Sequence, residues 1–276
     1  MAGILYLVAT PIGNLEDITF RAVRILRECD LIACEDTRQT RKLLDRYGIA
    51  KPVVSYHEHN EAARAQEIAG KLLAGESVAL VSDAGTPLVA DPGYRLVRAA
   101  LDQGLVVVAV PGPSAAVTAL AASGLPTDTF RFGGFLPAKA GQRARLLESL
   151  RDDAATLVFY EAPHRILETL ADVARLMPGR PVVVARELTK IHEEYLRGTA
   201  EEIRGILAAR PAVKGEITLL IGKSEAPPAE GTSIEEAVAA AVATGLTRME
   251  AIKAVARRRG LSKRDVYRRI PSTTRP

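Results

Sequence analysis

The chain has 276 residues, of which 47% are hydrophobic and 25% charged, a balance that excludes global disorder, a collagen repeat and a disulfide scaffold. Its length suffices to bury about 70% of the unfolded surface, while the absence of Trp and an aromatic content of 4% argue against binding through long rows of stacked rings. The net charge of +4 is unevenly spread: Leu246–Pro276 holds ten Lys/Arg against two acids, +8, which leaves −4 on residues 1–245. An acidic body with a basic tail points to a polyanionic partner met through the tail.

Short apolar runs alternate with helical patterns along the first half of the chain. Strands are predicted at Ile4–Val8, Leu31–Cys34, Val53–Tyr56, Val78–Val81 and Leu105–Ala109. Helices follow them at Ile18–Glu28, Arg38–Tyr47, Glu61–Leu73, Tyr94–Gln103 and Ser114–Ser123. Five strand–helix repeats with fully apolar strands mean a parallel α/β sheet. Asp91-Pro92 reads as a helix cap followed by Pro at the first helical position. The uncharged stretch from Gln103 to Thr127 has membrane-spanning length, but Pro111-Gly112-Pro113 breaks it into strand, turn and helix. The N-terminus lacks the basic flank of a signal peptide. Cys29 and Cys34 have neither bridge nor zinc spacing and read as small buried apolar residues of a reducing cytosol.

After Gly124 the pattern changes. Strands are predicted at Thr129–Phe135, Thr156–Phe159, Val182–Ala185, Glu194–Arg197 and Glu216–Ile221, with helices at Gly141–Leu150, Arg165–Leu176 and Ala200–Ala209. This is a second α/β domain of mixed sheet. The expected division is therefore 1–112, 113–224, a Pro-rich linker at 225–231, and a basic helical extension at 232–276. Within that extension Ser233…Glu236, Thr247…Glu250 and Ser262…Asp265 open three short helices with a capping pattern. Gly245 and Gly260 stand where C-terminal caps belong, and the whole looks like a helix-turn-helix.

Ligands of open parallel sheets bind beyond the carboxyl ends of the strands. Five loops follow those ends: Thr10–Asn14, Glu35–Arg38, His57–Asn60, Ser82–Pro87 with Asp91–Gly93, and Pro111–Ser114. All are small, polar or turn-forming, so they are expected to converge on one rim as a cleft. Gly85 permits a positive φ or a close approach of backbone to ligand. Asp83 can accept hydrogen bonds from a ribose or an amine, and Ser114 can donate to a ligand or cap its own helix, the cap being the ordinary role. No G-x-G-x-x-G follows the first strand. Gly222-Lys223-Ser224 lacks the spacing of a phosphate-binding loop, and no G-x-S-x-G is present. His57-x-His59 offers two potential metal ligands, with Glu58 and Asp91 nearby in principle, but the pair needs partners placed by the fold; plain polar loop histidines are the expectation, and no metal is expected.

The motifs Thr10-Pro-Ile-Gly-Asn-Leu15, Glu35-Asp-Thr-Arg38, Ser82-Asp-Ala-Gly-Thr-Pro87, Asp91-Pro-Gly93, Pro111-Gly-Pro-Ser-Ala115, Tyr160-Glu-Ala-Pro-His-Arg165 and Ala185-Arg-Glu-Leu-Thr-Lys190 together resemble the tetrapyrrole-methylase-like methyltransferases. Within that family they are similar to the branch that methylates a decoding-site cytidine of 16S rRNA on its ribose 2′-OH. The resemblance implies two α/β domains, S-adenosylmethionine in the cleft between them, a homodimer, and a cytoplasmic enzyme working on the small ribosomal subunit without a membrane. Carried over by motif, it implies cofactor contacts from Pro11, Asp83, Gly85, Thr86, Ser114, Ala115, Tyr160, Ala162, Gly215 and Glu216.

A ribose hydroxyl is a weak acid and benefits from a base or a stabilising charge. Rim candidates are Asp36, Arg38, His57, Glu161, Arg186 and Lys190; Asp36, Arg38 and Lys190 are the expected substrate-handling set. The competing reading of Glu35, Asp36 and Arg38 is a local ion pair plus helix cap. RNA binding is expected from Arg257, Arg258, Arg259, Lys263, Arg264, Arg268 and Arg269, against the reading of a merely solvated face. Two rivals remain open: a tetrapyrrole methylase, to which the basic extension gives no support, and a non-enzymatic nucleic-acid-binding regulator, against which the cleft-forming body argues.

Overall fold

The computed structural model describes residues 2–224, 233–243, 246–258 and 261–270, and the chain divides into two compact units, Met1–Lys223 and Ser224–Pro276. The first unit contains two sheets. Strands β1 (Ile4–Val8), β2 (Leu31–Cys34), β3 (Val53–Ser55), β4 (Val78–Val81) and β5 (Val106–Val110) form a parallel sheet in the order β3-β2-β4-β1-β5. Every residue of β2 and β4 is buried, as expected of strands covered on both faces. Helices α1 (Phe20–Glu28) and α2 (Thr37–Arg46) cover one face, where Ile25, Leu26, Leu43 and Leu44 pack on Val8, Ile32 and Val81. On the other face α3 (Glu61–Leu73) and α4 (Tyr94–Asp102) bring Ile68, Leu72 and Leu96 against Leu5, Leu31 and Leu80.

Helix α5 (Ala115–Ser123) leads into the second sheet and packs on it through Ala116, Ala119 and Leu120 against Val158, Val183 and Leu220. That sheet takes β6 (Phe130–Phe135), β7 (Thr156–Glu161), β8 (Val182–Arg186), β9 (Glu194–Gly198) and β10 (Ile217–Ile221) in the order β6-β7-β10-β8-β9. Only β6–β7 is parallel, so the sheet is mixed. The register of β6 shifts between Phe132 and Phe135, and a Cβ at Gly133 would collide with the Phe159 ring; a close backbone approach explains the glycine at this bulge. Helices α6 (Ala140–Ser149), α7 (Ile166–Leu176) and α8 (Ala200–Ala208) cover its other face.

The second unit comprises α9 (Ile234–Ala243), α10 (Arg248–Arg258) and α11 (Lys263–Arg268), packed around Ile234, Val238, Ile252, Val255 and Val266. All three capping patterns form: Ser233, Thr247 and Ser262 side chains accept the N–H of Glu236, Glu250 and Asp265. The predicted linker, Gly245, Arg259, Gly260 and Arg275 lie outside the described residues.

Two predicted helix starts are corrected. The segment before α1 is a 3-10 turn at Leu15–Asp17, and the helix opens later, with Thr19 capping the Ala22 N–H. Asp91 does not cap α4: the cap position is Gly93, at φ +141°, and Asp91 lines a cavity instead. Both cysteines are free and buried; burial pushes the Cys29 thiol up to about 11. Among the described residues no helix is long and apolar enough to cross a membrane.

Candidate active site

Hydrogen bonds pin the loops at the carboxyl edge of the parallel sheet to one another. Thr10 and Gly85 exchange backbone bonds of 2.9 and 3.0 Å, which the positive φ of Gly85, +88°, makes possible. The Thr10 hydroxyl donates to the Ser82 carbonyl at 2.9 Å and the Ser82 hydroxyl to that of Gly85 at 3.0 Å. Asp83 Oδ1 accepts the Asp36 N–H at 2.9 Å, and the Thr86 hydroxyl reaches the Pro113 carbonyl at 3.0 Å. Four of the five loops are thus one rigid rim. The exception is the third, where Asn60 folds back onto His57 and Ser55; His57 and His59 do not line the cavity that follows.

Between this rim and the second sheet lies a cavity of about 380 Å³, within the ~300–1,000 Å³ range of small-molecule sites. Asp83, Ala84, Val89, Ala90 and Asp91 line it from the first sheet's side; Ala115, Phe135, Tyr160–Pro163 and Gly215–Thr218 line it from the second. Phe132 and Phe135 meet the Tyr160 ring edge-on at 5.0 and 5.5 Å, an arrangement that holds an aromatic wall in place. Glu161, though it faces the cavity, is fully engaged: Oε1 takes Arg165 at 2.6 Å and the Ala162 N–H at 2.7 Å, while Oε2 accepts the Thr169 hydroxyl at 2.6 Å. It is a structural carboxylate.

The opposite wall is electrostatically strained. Asp91 is pushed up to about 6, first by loss of water around it and then by the negative charges of Glu35 and Asp83, against a hydrogen bond from Ser82. Glu35 is raised as well, by partial desolvation and by Asp83. Leu88 and Ala90, flanking this stretch, hold φ of +69° and +68°, conformations costly for residues with a Cβ.

A second chamber adjoins the first and shares Ile12, Asp83, Ala84 and Glu216 with it; Thr10, Pro11, Leu15, Gln39, Lys42 and Lys190 are among its other lining residues. Lys190 is clamped between Glu187 at 2.9 Å and Glu216 at 3.0 Å. Burial works to lower its pKa, but the bonds to Glu187 and Glu216 prevail and raise it, so it stays a cation. Glu187 and Thr189, at φ of +53° and +65°, hold the turn that places it. Asp36 caps α2 through the Arg38 N–H at 2.8 Å and pairs with the Arg38 guanidinium at 2.7 Å, which draws its pKa down to about 2. The ion pair and cap expected as the competing role of these residues therefore exist. Arg186 is taken by Glu194 at 2.5 Å and by the Lys214 carbonyl at 2.9 Å.

Of the sequence-derived cofactor residues, the structure gathers Asp83, Ala115, Tyr160, Ala162, Gly215 and Glu216 around the main cavity. Pro11 lines the adjoining chamber, Thr86 and Ser114 line a separate hollow with Val117 and Phe130, and Gly85 is buried behind the rim. Ser114 stands at the cap of α5, but its side chain makes no capping bond, a correction to its ordinary role. The sequence sets Asp91 in a rim loop but reads it as the cap of α4 and leaves it out of the cofactor set; the structure puts it in the cavity wall. In the second unit Lys263, Arg264, Arg268 and Arg269 are exposed on and just after α11, and Arg257 and Arg258 end α10.

Comparison with known proteins agrees with this architecture. Solved structures of uroporphyrin-III-C-methyltransferase from Thermus thermophilus (TM-score 0.56, 22% identity, 80% of this chain and 94% of that one) and of diphthine synthase (TM-score 0.62, 15% identity, 80% and 90%) share the fold. In sequence the chain is 51% identical over 272 residues to "Ribosomal RNA small subunit methyltransferase I" of Halalkalibacterium halodurans, covering 96% of this chain and 93% of the relative. It is 45% identical over 272 residues to the protein of that name from Bacillus subtilis, with the same coverage. The family pattern of the tetrapyrrole (corrin/porphyrin) methylases matches residues 4–204, and with relatives this similar over nearly their whole length the chain belongs to that family.

Proposed function

We propose that this protein transfers a methyl group from S-adenosylmethionine to the ribose 2′-OH of a decoding-site cytidine in 16S rRNA. The observation that carries the reading is the pair of joined chambers, one mostly apolar with carboxylates in its wall, the other more mixed with Lys42 and Lys190 among its lining, meeting at Ile12, Asp83, Ala84 and Glu216. The names of the relatives at 45–51% identity support rRNA as substrate over a tetrapyrrole; the solved tetrapyrrole enzyme, at 22% identity, shares only the fold.

The residues of the first chamber fit the cofactor. Small side chains at Ala84, Ala90, Ala115 and Ala162 leave room for a flat ring, and Tyr160 and Phe135 supply apolar surface. Asp83 and Asp91 place negative charge where a cationic ligand would sit. When bound, S-adenosylmethionine supplies an electrophilic methyl carbon on a sulfonium sulfur. The chain's own contribution is to hold reactants in line, which accounts for much of the rate in such a transfer, and to exclude water with the Tyr160–Pro163 wall. Lys190, a permanent cation at the second chamber, stabilises negative charge growing on the ribose oxygen or neutralises a neighbouring phosphate; being protonated, it accepts no proton. Lys42 of α2 lines the same chamber and adds positive charge to that side, whereas Arg38 is spent on its pair with Asp36. The cations of α11 support a tail that grips rRNA.

We further read the two sheets as domains 1–112 and 113–224, since α5 packs on the second sheet. A homodimer is supported by the exposed Val117 and Phe130 beside the third hollow, an apolar patch suited to a second copy; the cytoplasm is where an rRNA substrate would place it. The deciding experiment incubates the protein with radiolabelled S-adenosylmethionine and small ribosomal subunits that lack the modification. Label resistant to alkaline cleavage at one cytidine of 16S rRNA is expected; no label in any RNA overturns the reading.

A further inference from the structure

The body of the chain carries −4 outside the basic tail, yet two of its helices are strongly positive. Helix α1 holds Arg21, Arg24 and Arg27 against Glu28, and α2 holds Arg38, Arg41, Lys42 and Arg46 against Asp45: seven cations and two acids, +5 within the helices themselves, while Glu16, Asp17, Asp30, Glu35 and Asp36 stand at their ends. The two helices lie side by side, since they share one core cluster and Arg27 donates to the Tyr47 carbonyl at 2.9 Å. All seven cations are exposed. Arg24 pairs with Glu28 and Arg38 with Asp36, whereas Arg21, Arg41 and Arg46 make no ion pair among the described residues. Nothing in the fold of the lobe accounts for this concentration of charge.

At the active-site end of that face stands Phe20, the first residue of α1 and 98% exposed. An apolar ring of that size left wholly in water is unusual in a chain with only five phenylalanines. Phe20 shares a helix face with Arg24 and Arg27, at i+4 and i+7. It follows closely on Leu15, which lines the second chamber together with Lys42 of α2. Across that chamber Ile191, next to Lys190, is also 98% exposed. The loops carrying these two residues touch, with the Asn14 N–H donating to the Thr189 hydroxyl at 3.0 Å. Two bare apolar side chains thus follow closely in the chain on residues that line the chamber, Leu15 and Lys190, and a row of cations continues along the helix from one of them.

We propose that the α1–α2 face is an RNA-docking surface of the catalytic unit, in which Arg21, Arg41 and Arg46 hold phosphates and Phe20 stacks on an unpaired base beside the target nucleotide. The inference rests on the proposed function and deepens it by assigning substrate-binding residues on the body in addition to the tail. Its physical logic is that an enzyme acting on one nucleotide of a folded RNA takes that nucleotide out of its stack, and exposed aromatic rings replace the missing stacking. Positive charge facing polyanionic RNA, on a body otherwise negative, identifies the occupant; an apolar patch meant for a second copy would not need seven exposed cations.

The test uses the full chain with small ribosomal subunits lacking the modification. Phe20→Ala is expected to raise KM for the subunits about tenfold, in the range of one base–aromatic stack, with kcat and calorimetric affinity for S-adenosylmethionine retained. Phe20→Tyr restores the wild-type KM. Arg21→Glu combined with Arg41→Glu is expected to weaken subunit binding and to flatten its salt dependence by about one logarithmic unit of slope for each phosphate no longer held. Since the Phe20 side chain is almost wholly in solvent, its replacement leaves folding intact. A wild-type KM in Phe20→Ala overturns the stacking role, and an unchanged salt slope overturns the cation face. If sedimentation shows that Phe20→Ala halves the particle mass, the face is an interface between copies and the proposal falls. If the wild-type chain itself labels no 16S rRNA, the proposed function fails and this surface with it, whereas labelled wild type with kinetically silent variants removes this surface alone.

Discussion

The two walls of the main cavity are built by opposite rules. On the side of the second sheet, Glu161 is buried but saturated, with Arg165, Thr169 and the Ala162 N–H around it. On the side of the first, Asp91 is half-buried near Glu35 and Asp83 and is pushed up to about 6, and the residues flanking it adopt strained backbone conformations. A carboxylate held by partners at both oxygens keeps a wall in place. One that has lost its water and faces like charges as well is destabilised in its ionised form, a stress that a proton or a bound cation relieves, and such groups collect at functional sites. The difference separates scaffold from site within one cavity.

Removing the saturated carboxylate should give the largest effect. Glu161→Ala leaves Arg165 without its ion-pair partner in a place where its Nε already lacks a hydrogen-bond acceptor among the described residues. Breaking a buried pair of this kind costs about 3–5 kcal/mol, to be read from urea unfolding. Glu161→Gln, which keeps the bond to Thr169, should lose clearly less. A Glu161→Ala protein as stable as the wild type would erase the distinction between the walls.

Asp91→Asn should act in the reverse sense. The folded protein raises this pKa from an ordinary 3.8 to about 6, so its favourable contribution is complete below about pH 4 and is lost as the pH rises through about 6. At neutral pH the ionised side chain is a liability that Asn lacks. We expect a Tm gain of about 2–4 °C at neutral pH, the shift produced by about 1 kcal/mol in a domain of this size, and no gain in acid. Calorimetry should at the same time find S-adenosylmethionine bound about tenfold more weakly, the equivalent of about 1.4 kcal/mol of attraction for a cation. Stability gained with affinity unchanged would show that the stress serves nothing.

The contrast between the walls also marks where the sequence was readable. Continuous apolar runs such as Leu31–Cys34 and Val78–Val81 fit buried strands, and their alternation with amphipathic segments dictates the parallel sheet. The positive φ of Gly85 and the cap made by Asp36 were visible because each depends on residues close in the chain. Asp91 was not. Its neighbours Pro92, Gly93 and Tyr94 spell a helix start, while the acids that shift it, Glu35 above all, arrive from elsewhere in the sequence. The third loop misled for a similar reason: its histidines look like rim residues, but Asn60 folds the turn onto itself. Local rules read local structure; the charge of a cavity is set by segments the chain brings together only on folding.

Ser114 tests the smallest version of the same contrast. By position it is the cap of α5, and its carbonyl takes the Thr118 N–H at 2.9 Å, yet its hydroxyl makes no capping bond. Thr199, at the start of α8, forms a complete capping box with Glu202. Thr199→Ala should therefore cost about 1 kcal/mol, whereas Ser114→Ala should leave the unfolding midpoint where it was, because no bond is removed. The hydroxyl left free at the cap of α5 opens on the separate hollow it lines with Thr86, one residue before Ala115 of the cavity wall, and is then available to a ligand. Its removal should weaken S-adenosylmethionine binding between about twofold and about tenfold, the range of one neutral hydrogen bond. A midpoint that falls as far as in Thr199→Ala would mean that Ser114 caps its helix in solution, and the residue would leave the cofactor set for the scaffold.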